Sequence, residues 1–316
     1  MNPQSRKVVL IGTGMVGMSY AYALLNQSAC DELLLIDIDE ARAKGEAMDL
    51  NHGLAFSPSH MRIAAGHYED CADADVVVIS AGVAQKPGES RPALLSRNAA
   101  VFGSIVEPVL RSGFSGLFLV ATNPVDVMTR LTLALSGFAP GRVIGTGTAL
   151  DTARLRYLLG QYFSVDPRNV HAYVMGEHGD SEFVPWSQAM LATKPVSTVC
   201  AESGGRYKYE DMEGIAVQVR DAAQEIIKAK KATYYGIGMA MARITKALLG
   251  DENSVLTVST MLRGSYGVRD VFAGIPSVVG RAGVRETLAL PITPEEEERF
   301  RRSCQVLDEC WKEISF

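Results

Sequence analysis

Val8-Val9-Leu10-Ile11-Gly12-Thr13-Gly14-Met15-Val16-Gly17 is the stretch that decides the fold of this 316-residue chain. Four apolar residues that favour strands run straight into GxGxxG, and a helix-like segment follows. Gly12 permits a tight turn, Gly14 lets the backbone approach a pyrophosphate, and Gly17 lets the helix pack closely on the strand. The helix N-terminus then offers its unpaired N–H groups to the anion. A simple packing turn would produce the same letters, so the motif needs a second feature. Asp37 supplies it, 20 residues after Gly17 and at the end of Leu34-Leu35-Ile36-Asp37. A carboxylate there accepts hydrogen bonds from ribose hydroxyls and repels a 2′-phosphate, which favours NAD over NADP. For Asp37 alone, an exposed acid closing a strand is the other reading.

Outward from this turn the first half alternates short apolar runs with helical segments. Strands are expected at Val8–Ile11, Leu33–Asp37, Val76–Ser80, Leu117–Ala121 and Val143–Ile144, with helices such as Met15–Leu25 and Arg97–Arg111 between them. Nearly continuous apolar runs suit parallel strands covered on both faces. The pattern predicts an α/β protein: a Rossmann doubly wound parallel sheet, followed by a mixed α+β substrate domain. The character changes near residue 150, which gives an NAD-binding domain over 1–148 and a catalytic domain over 149–316. In the second half, helices are expected at Asp151–Tyr162, Glu210–Lys230 and Ile237–Leu248, and strands at Val170–Met175, Val255–Thr260 and Val271–Ile275. Thr293, Pro294 and Glu296 mark the start of a last helix with a capping box. No Gly/Ser-rich linker separates the halves, so their boundary should be tightly packed.

Composition sets limits. The net charge is −5, with 47% hydrophobic and 21% charged residues. That is ordinary for a globular protein and acidic for one that grips nucleic acid through its phosphates. No apolar run approaches the ~18 or more residues a membrane helix needs. The five cysteines are odd in number and form no CxxC, which argues for a reducing cytoplasm rather than a disulfide framework. No His/Cys/Asp cluster has metal-ligand spacing, so no metal centre is expected.

Among the five histidines, His52, His60 and His67 lie in polar stretches where a surface role is the default. His178 lies in Gly176-Glu177-His178-Gly179-Asp180-Ser181, a glycine-flanked loop after an expected strand. An imidazole there can pass a proton near neutrality. Arg91, Arg154 and Arg156 are candidates for gripping an anion, since a guanidinium pairs a carboxylate with two parallel hydrogen bonds. Asp151 and Arg154 share a helical face at i, i+3, which a mere surface pair would also do. Gly82–Arg91 follows the third strand and reads as a lid or as a long surface loop.

Taken together, six segments resemble the L-lactate dehydrogenase branch of the lactate/malate dehydrogenase family. They are Ile11–Gly17, Ala81–Arg91, Ala121-Thr122-Asn123-Pro124-Val125-Asp126, Asp151-Thr152-Ala153-Arg154-Leu155-Arg156, Gly176–Ser181 and Ala232-Thr233-Tyr234-Tyr235-Gly236. They occur in family order and cover nearly the whole chain. The resemblance implies hydride transfer between NADH and the carbonyl carbon of pyruvate, with His178 as proton donor and, in reverse, acceptor from L-lactate. Asp151 matches the acid that orients this imidazole, Arg91 the arginine that polarises the carbonyl, and Arg154 the clamp on the substrate carboxylate. Asn123, Asp126 and Thr233 match substrate-binding positions. Gly12, Gly14, Val16, Gly17, Asp37, Arg42, Tyr68, Gly82, Val83, Ser104, Ala121, Asn123 and Thr146 match positions of the NAD site. Arg42 stands where relatives often carry lysine.

Gln85 bears on the substrate. Malate dehydrogenases of the family carry an arginine here to pair the second carboxylate of oxaloacetate. A neutral Gln85 would leave that carboxylate unpaired in a closed site, at a cost of several kcal/mol. Arg156 and His171 match positions that bind fructose 1,6-bisphosphate at a subunit interface in allosteric bacterial members, and a structural interface pair is the alternative. A homotetramer is implied with them. Two competing readings are a malate or other 2-hydroxy-acid dehydrogenase, which Gln85 disfavours, and a non-catalytic NAD-binding sensor. A sensor would have no need of His178, Asp151, Arg154 and Arg91 together.

Overall fold

In the computed structural model, which describes residues 6–83 and 91–314 but not the side chains of Arg91 and Pro92, Lys7–Ile11 is strand β1, buried throughout. The turn at Gly12 leads into helix α1 (Met15–Gln27), which closes at Ser28 in the left-handed conformation. Strand β2 (Glu32–Ile36), helix α2 (Glu40–Gly53) and strand β3 (Arg62–Ala65) follow. Next come β4 (Val76–Ile79), α3 (Arg91–Arg111), β5 (Leu117–Val120), α4 (Val125–Ser136) and β6 (Val143–Gly145). These six strands are parallel and stand in the order β3-β2-β1-β4-β5-β6. The direction of winding reverses between β1 and β4, which opens a crevice at their C-terminal ends. This is the doubly wound sheet expected from the sequence. Strand β3 carries no comparable signal because it is short and only Ile63 is buried on it.

The period of two along each strand divides its side chains between two cores. Val8 and Leu10 pack with Tyr20, Leu24 and Leu35 on the α1 side, while Val9 and Ile11 pack with Phe102, Val106 and Phe118 on the α3 side. Both faces are therefore covered, which is why the strands read as unbroken apolar runs. Over Ala93–Arg111, α3 is long and apolar enough by length and composition to cross a membrane. That corrects the expectation that nothing in the chain approaches this limit. Arg97, Asn98 and Glu107 interrupt the run and hide its mean hydropathy from the eye. Leu95, Phe102 and Val106 are fully buried in the α3-side core.

The second half begins with α5 (Ala149–Phe163) and a small sheet of β7 (Val170–His171), β8 (Met190–Leu191) and β9 (Lys194–Pro195). Helices α6 (Val196–Glu202), α7 (Asp211–Lys230) and α8 (Tyr235–Leu249) follow. Strands β10 (Ser254–Arg263), β11 (Arg269–Gly280) and β12 (Gly283–Thr287) precede the last helix, α9 (Pro294–Lys312). Thr293 caps α9, and Glu296 completes the capping box.

Two expectations need correction here. The strand expected over Val170–Met175 ends at His171; Met175 and Gly176 make only isolated bridges, to Phe183 and Gly274. Gly176 has φ +95°, which turns the chain out of extended structure. Second, β10 and β11 are not short: they span 10 and 12 residues. Ser254, Thr257, Ser259 and Thr260 dilute the apolar pattern of β10 although most are buried. Strands β10–β12 do not stand apart from the first sheet. They extend the first one through Ser259 against Gly145, giving a single nine-stranded sheet.

Candidate active site

The crevice between β1 and β4 is a cavity of about 600 Å³. Gly12, Gly14, Asp37, Arg42, Tyr68, Gly82, Val83 and Ser104 line it, together with Ile38 and Val101. Gly12 has φ +103°, and a Cβ on it would come within 2.5 Å of the Ala81 nitrogen. A Cβ on Gly17 would meet the Gly12 carbonyl oxygen at 2.1 Å, so α1 sits as close to the turn as a backbone can. At Gly14, by contrast, nothing lies within 4 Å. Gly14 is the N-cap of α1, no side chain caps this end, and no acid stands in the first turn. The helix thus presents an unneutralised positive end to open space.

Asp37 ends β2 beside this opening. Its Oδ2 accepts the Thr13 N–H at 2.7 Å and the Thr13 hydroxyl at 2.8 Å, and its Oδ1 accepts the Asp39 N–H at 3.1 Å. Burial would raise its pKa, but these bonds and the charge of Arg42 outweigh that and hold it below the usual range. Asp37 is a fixed carboxylate at neutral pH. The cavity therefore combines an anion-attracting helix end, a Cβ-free approach and a carboxylate, a set that fits a dinucleotide. Val16 and Gly17 lie beneath the turn in α1. Ala121, Asn123 and Thr146 sit just past β5 and β6, outside the lining of this cavity. Ile38, fully exposed at the cavity rim, was missed by the sequence reading. An apolar residue beside the ribose acid was its available signal.

The second cluster forms where α5 meets the loop after β7. His178 Nδ1 lies 2.6 Å from Asp151 Oδ2, and Arg154 Nη1 donates to Asp151 Oδ1 at 2.8 Å. The Asp151 side chain is 2% exposed, Arg154 13% and His178 26%. Asp151 and Arg154 lie one helical turn apart on α5, so both reach the loop from a rigid element. Burial alone would lower the His178 pKa. The charge and hydrogen bond of Asp151 outweigh it, Asp126 and Glu182 add to the pull, and the result is about 9. Asp151 is held low by His178 and Arg154 despite its own burial. With Nδ1 committed to Asp151, Nε2 is the nitrogen free to exchange a proton.

The loop is held from behind. Asp126 on α4 is 2% exposed and accepts the His178 N–H at 2.9 Å. The structure thus places Asp126 behind the histidine, not on an open surface. Burial pushes its carboxyl up to about 6. Ser303 on α9 accepts the Glu177 N–H at 2.7 Å and sits 2.9 Å from the Ser181 hydroxyl. Glu182, half-buried beside Asp151 and His178, was also missed. Its position in the His178 loop was the only cue, and loop acids usually face water.

The remaining expected residues fall as follows. Asn123 is exposed in the turn before α4, and Thr233 is half-buried just before α8. Arg91 begins α3, and Gln85 lies outside the described residues. Val83 donates its N–H to Asn98 Oδ1 at 3.0 Å. Arg156 is half-buried, donates to the Ala172 carbonyl at 3.2 Å and stacks over Tyr173. It lines a separate cavity of about 420 Å³ with Met239, Arg243 and Val255. His171 is exposed one residue from that carbonyl and is not in this lining.

Residues 6–145 match the family model described as lactate/malate dehydrogenase, NAD binding domain, and residues 148–315 match its alpha/beta C-terminal domain. The chain is 52% identical over 303 residues to L-lactate dehydrogenase 1 of Bacillus cereus, with 96% of each chain covered. It superposes on a lactate dehydrogenase enzyme from a Medee basin deep-sea metagenome library with TM-score 0.97 at 51% identity, covering 99% of this chain and 100% of that one. The ligands-bound minor L-lactate dehydrogenase from Enterococcus mundtii gives 0.97 at 47% identity, with 99% of each chain covered. With the crevice and the His178–Asp151–Arg154 cluster, these likenesses show that the chain belongs to the lactate/malate dehydrogenase family of NAD-dependent oxidoreductases, on its L-lactate dehydrogenase branch.

Proposed function

We propose that the protein interconverts pyruvate and L-lactate, with His178 moving the proton and Arg154 holding the substrate carboxylate. The observation that carries this reading is the shared carboxylate of Asp151, which fixes an imidazole and a guanidinium side by side. When bound, NADH supplies the hydride. His178, protonated, donates from Nε2 to the carbonyl oxygen as charge develops there, and Asp151 stabilises the cation until that moment. In the reverse direction neutral His178 takes the hydroxyl proton of lactate. Arg91 is read as polarising the carbonyl, Asn123 and Thr233 as lining the substrate space, and Asp126 as holding the His178 backbone. Gln85 is read as excluding a second carboxylate.

The glycine turn, Asp37 and the cavity support NAD in the crevice; every residue of its lining comes from before residue 148. His178, Asp151 and Arg154 come from after it. We therefore divide the work at this point, with 1–148 binding the cofactor and 149–316 handling substrate. A homotetramer activated by fructose 1,6-bisphosphate through Arg156 and His171 is part of the reading. The guanidinium of Arg156 beside a solvent-facing cavity supports it. Five free, buried cysteines support a reducing cytoplasm as the place of action.

The test is NADH absorbance loss with pyruvate and with oxaloacetate, each with and without the bisphosphate. Strong preference for pyruvate and a lowered KM with bisphosphate are expected. His178→Gln should lose about 10²–10⁴-fold in kcat while NADH fluorescence still reports binding. A nearly wild-type rate would remove His178 from the mechanism.

A further inference from the structure

Glu182 stands four residues after His178 in the same loop and is half-buried. One of its carboxylate oxygens, one of Asp151's and a ring nitrogen of His178 all lie within 4.8 Å of one another. A second carboxyl is thus set beside Asp151, which already faces both His178 and Arg154, a set that the substrate carboxylate alone would bring to neutrality. The groups that act on Glu182 are Asp151 and Arg154 from α5, His178 from its own loop and Arg220 from α7. Asp126, from α4, acts on His178 from behind. Burial and the negative charge of Asp151 push the Glu182 carboxyl up, to about 8, against the three cations.

We propose that Glu182 gates anion binding: it must be a neutral acid for the substrate carboxylate to settle on Arg154. The inference rests on the reading of Arg154 as the carboxylate clamp. An ionised Glu182 would place a third negative charge in a partly desolvated space already holding Asp151 and the substrate anion. It would also stabilise protonated His178. Ionisation therefore weakens binding of the 2-oxo acid while leaving the proton donor in place, so KM should move with pH more than kcat does.

The experiment is pyruvate saturation with NADH between pH 6.5 and 9.5. If both groups must be protonated for binding, the wild-type KM rises about 20-fold from pH 7 to pH 9, about two-fold of it from His178. Glu182→Gln should leave only that factor of about two, and Glu182→Asp should restore a steep rise. A Glu182→Gln KM that climbs as steeply as the wild type overturns the proposal. If that variant does not fold, the wild type decides through proton uptake on binding oxamate, a non-reducible isostere of pyruvate, to the NADH complex. At pH 8.5 about one proton is expected if Glu182 and His178 both take part, against about a quarter for His178 alone. Uptake of a quarter overturns the proposal. A wild type that turns pyruvate over with only the two-fold KM change overturns Glu182 alone, whereas no pyruvate turnover at all overturns the functional reading itself.

Discussion

Asp151 serves two cations with one carboxylate, and this makes the site sensitive to its charge. Replacing it with Asn keeps the shape but removes the charge that holds His178 protonated. In Asp151→Asn the His178 pKa should fall from about 9 towards its ordinary 6.5. Pyruvate reduction needs the protonated imidazole, so its alkaline limb should move down by up to about 2.5 pH units, with a kcat loss of about 30-fold at pH 8. A pH–rate profile reads this directly, and an unmoved limb would show that Asp151 does not set the charge of His178. The same shift bears on stability. A His whose folded pKa is raised stabilises the fold fully below its unfolded value of 6.5, and that contribution is lost as pH rises through about 9.

At the scale of elements, the turn joining β1 to α1 makes a separable demand at each glycine. Gly12 and Gly17 answer to protein atoms close by, and a side chain at either strains the fold. Gly14 faces open space, so a methyl there meets nothing until a pyrophosphate arrives. Gly14→Ala should therefore melt within about 2 °C of the wild type, since surface changes usually cost under about 0.5 kcal/mol. Its Kd for NADH, measured by fluorescence titration, should rise about ten-fold or more through lost contact with the helix end. Unchanged affinity would place the pyrophosphate elsewhere.

Across the whole molecule the two halves share one sheet and the two cores on its faces. Tyr20 on α1 hydrogen-bonds Thr245 on α8 at 2.8 Å, and Met241, Ile244 and Leu248 of α8 are buried in the core that holds Val8 and Leu10. Each such side chain contributes about 1.5–3 kcal/mol when buried. Together they rival a typical domain stability of about 5–15 kcal/mol. Residues 1–148 expressed alone should thus lack a cooperative melting transition by circular dichroism, with the edge of β6 and one face of α1 uncovered. A sharp transition near that of the whole chain would show that the first half folds independently.

By itself the sequence determined the doubly wound sheet, the glycine turn with its acid, and the start of α9. Each is written in residues adjacent along the chain: Val8–Gly17, the step to Asp37, and Thr293 with Glu296. His178, Asp151 and Arg154 were legible as candidates because their motifs resemble a family's. Their contact could not be read, since His178 lies 27 residues from Asp151 and only the packing of α5 against the loop after β7 closes that gap. The joining of β10 to β6 was hidden for a related reason. Buried Ser and Thr pair through backbone bonds, which leave no hydrophobic trace in the sequence. Glu182 shows the limit most clearly. An acid in a loop reads as solvated, and only the tertiary structure decides that it faces Asp151 across less than 5 Å, where its charge bears on the site.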